Sequence, residues 1–306
     1  MNTFAPVVRK AELKQGVGLG YTFADVFAGI GGFHLAFHNL GAECVFAAEW
    51  DRFARETYTL NHKKISPELF ASQNFAHDIT KVDPKIIPDF DVLCAGFPCQ
   101  PFSQAGFKKG FDEVRGTLFF NLVKIIAEKK PKAFFLENVR HLKNHDGGRT
   151  FETIKRVLEV ELGYSFASEI VKASDHGLPQ YRPRLFMVGF RDKQLGSEFR
   201  FPEAKKERLS MSEIWGGNCP KEIGYTLRVG GRGSGVGDRR NWDGYMVDGV
   251  ERRLGPREGL KMQGFPSSFR FPVSETQAMK QLGNSVAVPA IQAVGENIMR
   301  VLSRAN

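Results

Sequence analysis

Cysteine is scarce: Cys44, Cys94, Cys99 and Cys219 stand at irregular spacings in a chain of 306 residues. That excludes a disulfide framework and points to a reduced, cytosolic setting. It also argues against a metal site, because Cys94 and Cys99 have the wrong spacing and no second ligand pair follows. No metal is expected. Three of the four cysteines lie in apolar surroundings that read as buried strand ends. No stretch approaches 18 uncharged apolar residues, and Lys10, Glu12 and Lys14 break up the N-terminus, so neither a membrane span nor a signal peptide is expected. Internal repeats are absent too, which removes solenoids and propellers. Acidic residues are the minority charge: 34 against 43 Lys and Arg leaves +9, a balance that draws a surface toward polyanions.

What is present is globular. With 42% hydrophobic and 25% charged residues, the chain is long enough for one large domain plus a smaller one. Short apolar runs at 22–27, 44–49, 91–95, 133–136 and 185–190 alternate with helical spacing at 32–40, 52–61, 116–130 and 150–162. That pattern predicts a doubly wound, Rossmann-like α/β domain on a parallel sheet, with its ligand beyond the carboxyl ends of the strands. After Phe190 the texture changes to Gly, Arg and Trp. We read residues 191–274 as a second, smaller domain and 1–190 with 275–306 as the first. The glycine-rich run 230–237 reads equally well as a flexible surface linker. Near the end, Pro289 can start a helix whose Ile291, Val294, Ile298 and Val301 form one apolar stripe, packing back on the first domain.

The first strand leads into Phe27-Ala28-Gly29-Ile30-Gly31-Gly32, where glycines let the backbone turn tightly and approach a ligand. His34 occupies the place where a dinucleotide fingerprint has its third spaced glycine, so a pyrophosphate is less expected. Twenty residues after Gly29, Glu49 can accept hydrogen bonds from two ribose hydroxyls, and Trp50 offers a face to adenine. A nucleoside without phosphates describes S-adenosylmethionine better than a nicotinamide dinucleotide. The competing reading is that the glycines only close a strand-to-helix turn.

Gly96-Phe97-Pro98-Cys99-Gln100-Pro101-Phe102-Ser103 follows the third of the apolar runs, which places Cys99 in a loop on the ligand edge. Carbon 5 of cytosine is too poor a nucleophile to accept a methyl group until something adds to carbon 6, and a thiolate suits that addition. An acid near N3 would stabilise the charge that gathers on the ring. Glu137, in Phe135-Leu136-Glu137-Asn138-Val139, ends a strand on the same edge. In Gln180-Tyr181-Arg182-Pro183-Arg184 two arginines stand two residues apart, on one side of an extended chain. They can fix a phosphate or the base's O2. Taken singly, Cys99 reads as a buried thiol, Glu137 as a solvated strand end and the arginines as surface charge.

Together these segments resemble the ordered motif series of the DNA (cytosine-5)-methyltransferases of the bacterial restriction–modification type. Residues 23–32 are similar to the first motif, 96–103 to the Pro-Cys-Gln motif, 137–139 to the acidic motif and 180–184 to the paired-arginine motif. Gly283-Asn284-Ser285-Val286 is similar to the last. The resemblance implies S-adenosylmethionine as methyl donor, Cys99 as nucleophile, Glu137 as partner of N3, and Arg182 and Arg184 as ring- and phosphate-positioning groups. It implies donor contacts from Phe27, Gly29, Gly31, Gly32, Glu49, Trp50, Asp78, Ile79, Pro98, Leu118, Asn284 and Ser285. The target base would be flipped from double-stranded DNA. Gln100, Ser103, Lys108 and Lys109 would meet the DNA, and Arg228, Arg232, Arg239 and Arg240 in the short variable segment would suit a groove. The resemblance also implies a bacterial cytoplasmic protein, nucleoid-associated through DNA, acting as a monomer, with a separate cognate endonuclease as a possible companion.

Three alternatives stay open at this level. An RNA (tRNA) cytosine-5 methyltransferase shares the motif series, although Phe97 and Ser103 follow the bacterial DNA pattern. A catalytically inactive DNA-binding regulator could use the same scaffold. A small-molecule methyltransferase would explain the glycine turn and Glu49 but leave the arginine-rich segment idle.

Overall fold

The structure, a computed structural model, describes residues 20–98 and 117–305. Seven strands form one sheet: β1 Thr22–Val26, β2 Glu43–Ala48, β3 Phe75–Ala76, β4 Val92–Gly96, β5 Ala133–Val139, β6 Ala167–Lys172 and β7 Pro183–Phe190, in the order β3-β2-β1-β4-β5-β7-β6. The first five pair in parallel. β7 runs antiparallel to both β5 and β6, which corrects the expected all-parallel sheet at one edge. The order reverses between β1 and β4, and crevices for ligands form at such a switch point.

Apolar runs form the central strands because helices cover both faces, so alternate residues enter different cores. Along β4, Val92 and Cys94 face one core while Leu93 and Ala95 face the other; along β5, Ala133 and Phe135 alternate with Phe134 and Leu136 in the same way. Local chemistry starts the covering helices. The Asp51 carboxylate accepts the Ala54 N–H at 2.9 Å and so caps Arg52–His62, and Thr117 caps Leu118–Lys129 through the Phe120 N–H. Helix Arg149–Arg156 continues into a π-helical turn, Val157–Glu161. At the end of the chain Val288–Leu302 is a helix with Ile291, Val294, Ile298 and Val301 buried. It packs on Gly32–Asn39 so closely that a Cβ on Gly295 would lie 3.0 Å from Leu40.

Beyond Phe190, Phe199, Met211, Trp242, Tyr245 and Phe265 join the core on one face of the sheet. Two strands, β8 Gly244–Val247 and β9 Val250–Arg253, make an antiparallel hairpin. The glycine-rich run is not a free linker. It is draped over Trp242, whose indole N–H donates to Gly230 O at 3.0 Å, and over the buried Asp243 carboxylate, which accepts from Gly233 N–H, Arg232 and Arg253. Among the described residues no helix is long and apolar enough to cross a membrane.

Candidate active site

The carboxyl ends of β1, β2, β4 and β5 open on a cleft of about 950 Å³. β1 delivers the chain into a turn in which Phe27, Gly29 and Gly31 have φ of +59°, +57° and +83°. Glycine is favoured at such angles, and Phe27 holds one as strain. Glu49, just past β2, fastens the turn: its Oε2 accepts the Gly29 N–H and its Oε1 the Asp51 N–H, each at 2.7 Å. Arg55 donates to the carbonyls of Glu49 and Trp50 from behind. Burial pushes the Glu49 carboxyl above its usual range against those two hydrogen bonds.

Phe27, Gly29, Glu49, Trp50, Asp78 and Ile79 all line this end of the cleft, and Pro98, Leu118 and Asn284 line it further on. Gly31, Gly32 and Ser285 lie behind this lining. Gly31 has no room for a Cβ because the His62 ring lies against it, and a Cβ on Gly32 would come within 2.5 Å of Val286. Their small size serves packing under the turn.

The donor set fits S-adenosylmethionine. A Cβ on Gly29 would meet nothing within 4 Å, so that surface is open to a ligand. Trp50 is 72% exposed, a free aromatic face beside an acceptor carboxylate. Hydrogen bonds from Thr80 hold the Asp78 carboxyl below its usual range, so it too is an acceptor. Both lysines at this end face carboxylates, Lys81 toward Asp78 at 3.5 Å and Lys280 toward Asp51 at 3.6 Å. That arrangement suits a nucleoside better than a pyrophosphate.

Glu137 occupies the other end of the same cleft. It sits in β5 opposite Gly96 of β4. Arg184 Nε donates to its Oε1 at 2.9 Å. Burial outweighs both Arg184 and Arg182, so the Glu137 carboxyl holds its proton to higher pH than an exposed glutamate would. Asn138, the next residue, donates from Nδ2 to Phe97 O at 2.8 Å. It ties the end of β5 to the turn that leads through Pro98 toward Cys99. Cys99, Gln100, Ser103, Lys108 and Lys109 lie outside the described residues.

Arg182 behaves differently from its neighbour. It is buried, and its guanidinium donates to Leu227 O at 3.1 Å, Gly283 O at 2.9 Å and Ser285 O. Gln180 adds to the same joint, accepting from Leu227 N–H at 2.9 Å and donating to Met262 O at 3.0 Å. The expected direct contact of Arg182 with base or phosphate is thereby corrected. Its hydrogen bonds go to carbonyls, and it rivets the segment after Thr226 to the Gly283-Asn284-Ser285 turn. Gly283 is glycine because the Arg228 backbone passes over it, 2.5 Å from where a Cβ would stand.

The geometry has a known counterpart. The family model for C-5 cytosine-specific DNA methylases matches residues 21–229 and 221–300. The chain belongs to this family. The Type II methyltransferase M.SsoII of Shigella sonnei is 42% identical to it over 316 residues, spanning 92% of this chain and 81% of that protein. M.HhaI of Haemophilus parahaemolyticus is 37% identical over 328 residues, spanning 94% and 97%. A solved structure of a DNMT2 variant from Spodoptera frugiperda superposes with a TM-score of 0.66 over 93% of this chain and all of that one, at 20% identity, a likeness of fold. The methylase transfers a methyl group from S-adenosylmethionine to carbon 5 of cytosine in DNA.

On the side of the methylase expected to read DNA, the structure divides the four candidate arginines. Arg232 is spent on Asp243, Glu275 and Leu254 O, and Arg240 on its neighbour Asp238, which it pulls down to a pKa of about 2. Arg228 and Arg239 are exposed and carry no carboxylate partner among the described residues, and Arg228 lines the cleft. Asn138, Gln180 and Thr226, also at the cleft or its joint, carry no charge that sequence reasoning could single out. Asn138 and Gln180 are marked only by standing inside the 137–139 and 180–184 motifs, and Thr226 by nothing in the sequence.

Proposed function

We propose that the methylase works through a covalent adduct between Cys99 and carbon 6 of a flipped-out cytosine in a specific duplex site. The observation that carries this reading is the buried Glu137 carboxyl, its pKa raised by burial and its Oε1 held by Arg184 Nε, facing the same cleft as the Gly29–Glu49 turn. The Cys99 thiolate adds to carbon 6, and Glu137 gives its proton or a hydrogen bond to N3 as charge moves onto the ring. The ring is then an enamine whose carbon 5 takes the methyl group; S-adenosylmethionine supplies that methyl as an electrophile. Loss of the carbon 5 proton to a base restores the double bond and expels the thiolate. Arg184 orients Glu137 throughout.

Residues 191–274 act as the target-reading portion, with Arg228 and Arg239 as its free cations, and Gln100, Ser103, Lys108 and Lys109 approach the DNA from the catalytic side. Since the relatives are named Type II methyltransferases, we assign the protein to a restriction–modification system, protecting host DNA as a monomer in the cytoplasm alongside a separate endonuclease. Labelled methyl donor offered with duplex DNA and with tRNA tests the substrate: label enters duplex DNA, and label confined to tRNA overturns the reading. Bisulfite sequencing of plasmid from expressing cells then gives the site.

A further inference from the structure

Ile30 and Gly31, the far half of the cofactor turn, rest on a side chain that the methyl-transfer chemistry leaves unused. It is His62, the last residue of the helix Arg52–His62. Its Nε2 lies 3.0 Å from Ile30 O. A carbonyl can only accept, so Nε2 carries the hydrogen and donates it. The other ring nitrogen, Nδ1, is buried with no partner. An unpaired buried acceptor is unfavourable, and an aliphatic side chain at this place would avoid it. The ring is held flat. It stacks on His34 with centroids 4.4 Å apart and planes 25° apart, and His34 is itself bridged between the Tyr58 hydroxyl at 2.6 Å and Ser66 Oγ at 2.9 Å. Burial lowers the His62 pKa to about 4, so the ring is neutral near pH 7.

Ile30 lines the cleft on its other side, next to Gly29. The turn is therefore gripped twice, by Glu49 at the Gly29 N–H and by a ring at the Ile30 carbonyl. We infer that His62 is a positioning residue of the methylase, a neutral Nε2–H donor that fixes the Ile30 carbonyl and so presets the glycine turn for S-adenosylmethionine. This rests on the cleft beside Gly29 being the cofactor's.

The test compares His62→Phe with His62→Gln in the full chain, reading cofactor affinity by calorimetry and steady-state constants with duplex DNA saturating. Phenylalanine keeps the stacked ring and removes the donor. Its Kd and KM for S-adenosylmethionine rise about tenfold, the size of one lost hydrogen bond, while kcat at saturating cofactor changes less than about twofold. Glutamine places an amide nitrogen near the old Nε2 and restores affinity to within about threefold. An unchanged Kd in His62→Phe, a loss confined to kcat, or equal loss in both variants overturns the inference. Glu49→Gln is measured beside them. If it is silent as well, the reading of the cleft falls and takes this inference with it; if only the His62 variants are silent, the inference alone falls. Should His62→Phe fail to fold, ¹⁵N spectra of the unaltered protein decide. Protonated Nε2 whose resonance moves on adding S-adenosylmethionine supports the role, and an Nδ1–H tautomer or an unmoved resonance overturns it.

Discussion

Two arginines two residues apart have opposite duties, and the difference is burial. Arg184 keeps its Nε–H on a carboxylate at the cleft, so Arg184→Ala lowers activity with little loss of stability. Arg182 has its fork filled by carbonyls in the interior. Its removal leaves them unpaired, and Arg182→Met destabilises by about 3 kcal/mol or more, measured by denaturant titration. Glu137 is judged on the rate. Glu137→Gln keeps the shape but cannot deliver a proton, and kcat falls by roughly 10²- to 10⁴-fold while cofactor affinity holds. Because burial raises the Glu137 pKa, the proton-donating form is lost as pH rises through that value. The alkaline decline of kcat that this causes disappears in the glutamine variant. A Glu137→Gln enzyme retaining full kcat removes the acid role.

At the scale of elements, the turn after β1 and the helix beneath it form a unit whose polar groups are mostly uncharged. His62 and His34 are kept neutral by burial, His62 down to about 4. Exposed histidine titrates near 6.5, so the unfolded chain binds more protons between these values. Stability from His62 is full above about pH 6.5 and is lost as pH falls toward 4, on the order of 3 kcal/mol for that residue. Buried Asp25 is raised and works the other way, its contribution being lost as pH rises. His62→Phe therefore flattens the acid side of the stability profile, followed by denaturant midpoints between pH 7 and 4.5; an unchanged slope counts against the neutral ring.

Elements of this kind were legible where burial writes a pattern. β1, β2, β4 and β5 lie between two helical layers and read as apolar runs, correct to within one to three residues. β3 has two residues and β6 is a half-exposed edge, so neither leaves an apolar run to read. The reversed sense of β7 depends on β6 preceding it, and a missed strand hides the sense of its neighbour. The site followed the same rule. Glu49 and Glu137 announce themselves as carboxylates at strand ends, whereas the partners of Arg182 are carbonyls 45 and 101 residues away, and a backbone oxygen has no signature in a sequence.

The whole molecule carries +9, although individual arginines such as Arg232 and Arg240 are paired with carboxylates of the chain. DNA affinity will fall with salt in proportion to the phosphates actually neutralised. Arg228→Ala and Arg239→Ala each reduce the slope of log K against log[salt] by up to about one, or relax preference at one base pair if the contact is to a base edge. Arg240→Ala does neither, and Arg232→Ala costs stability instead, since it uncovers Asp243. Equal slopes in all four variants contradict the division.

The central claim is that Cys99 bonds to the ring it helps to methylate. Duplex DNA carrying 5-fluorocytosine at the target, incubated with S-adenosylmethionine and analysed by denaturing mass spectrometry, tests it most directly, because fluorine at carbon 5 cannot leave as a proton does. We predict a stable protein–DNA adduct mapped to Cys99 and no adduct with Cys99→Ser. Methylation by the serine variant at the unaltered rate, or the absence of any adduct under conditions where ordinary duplex is methylated, would contradict the account.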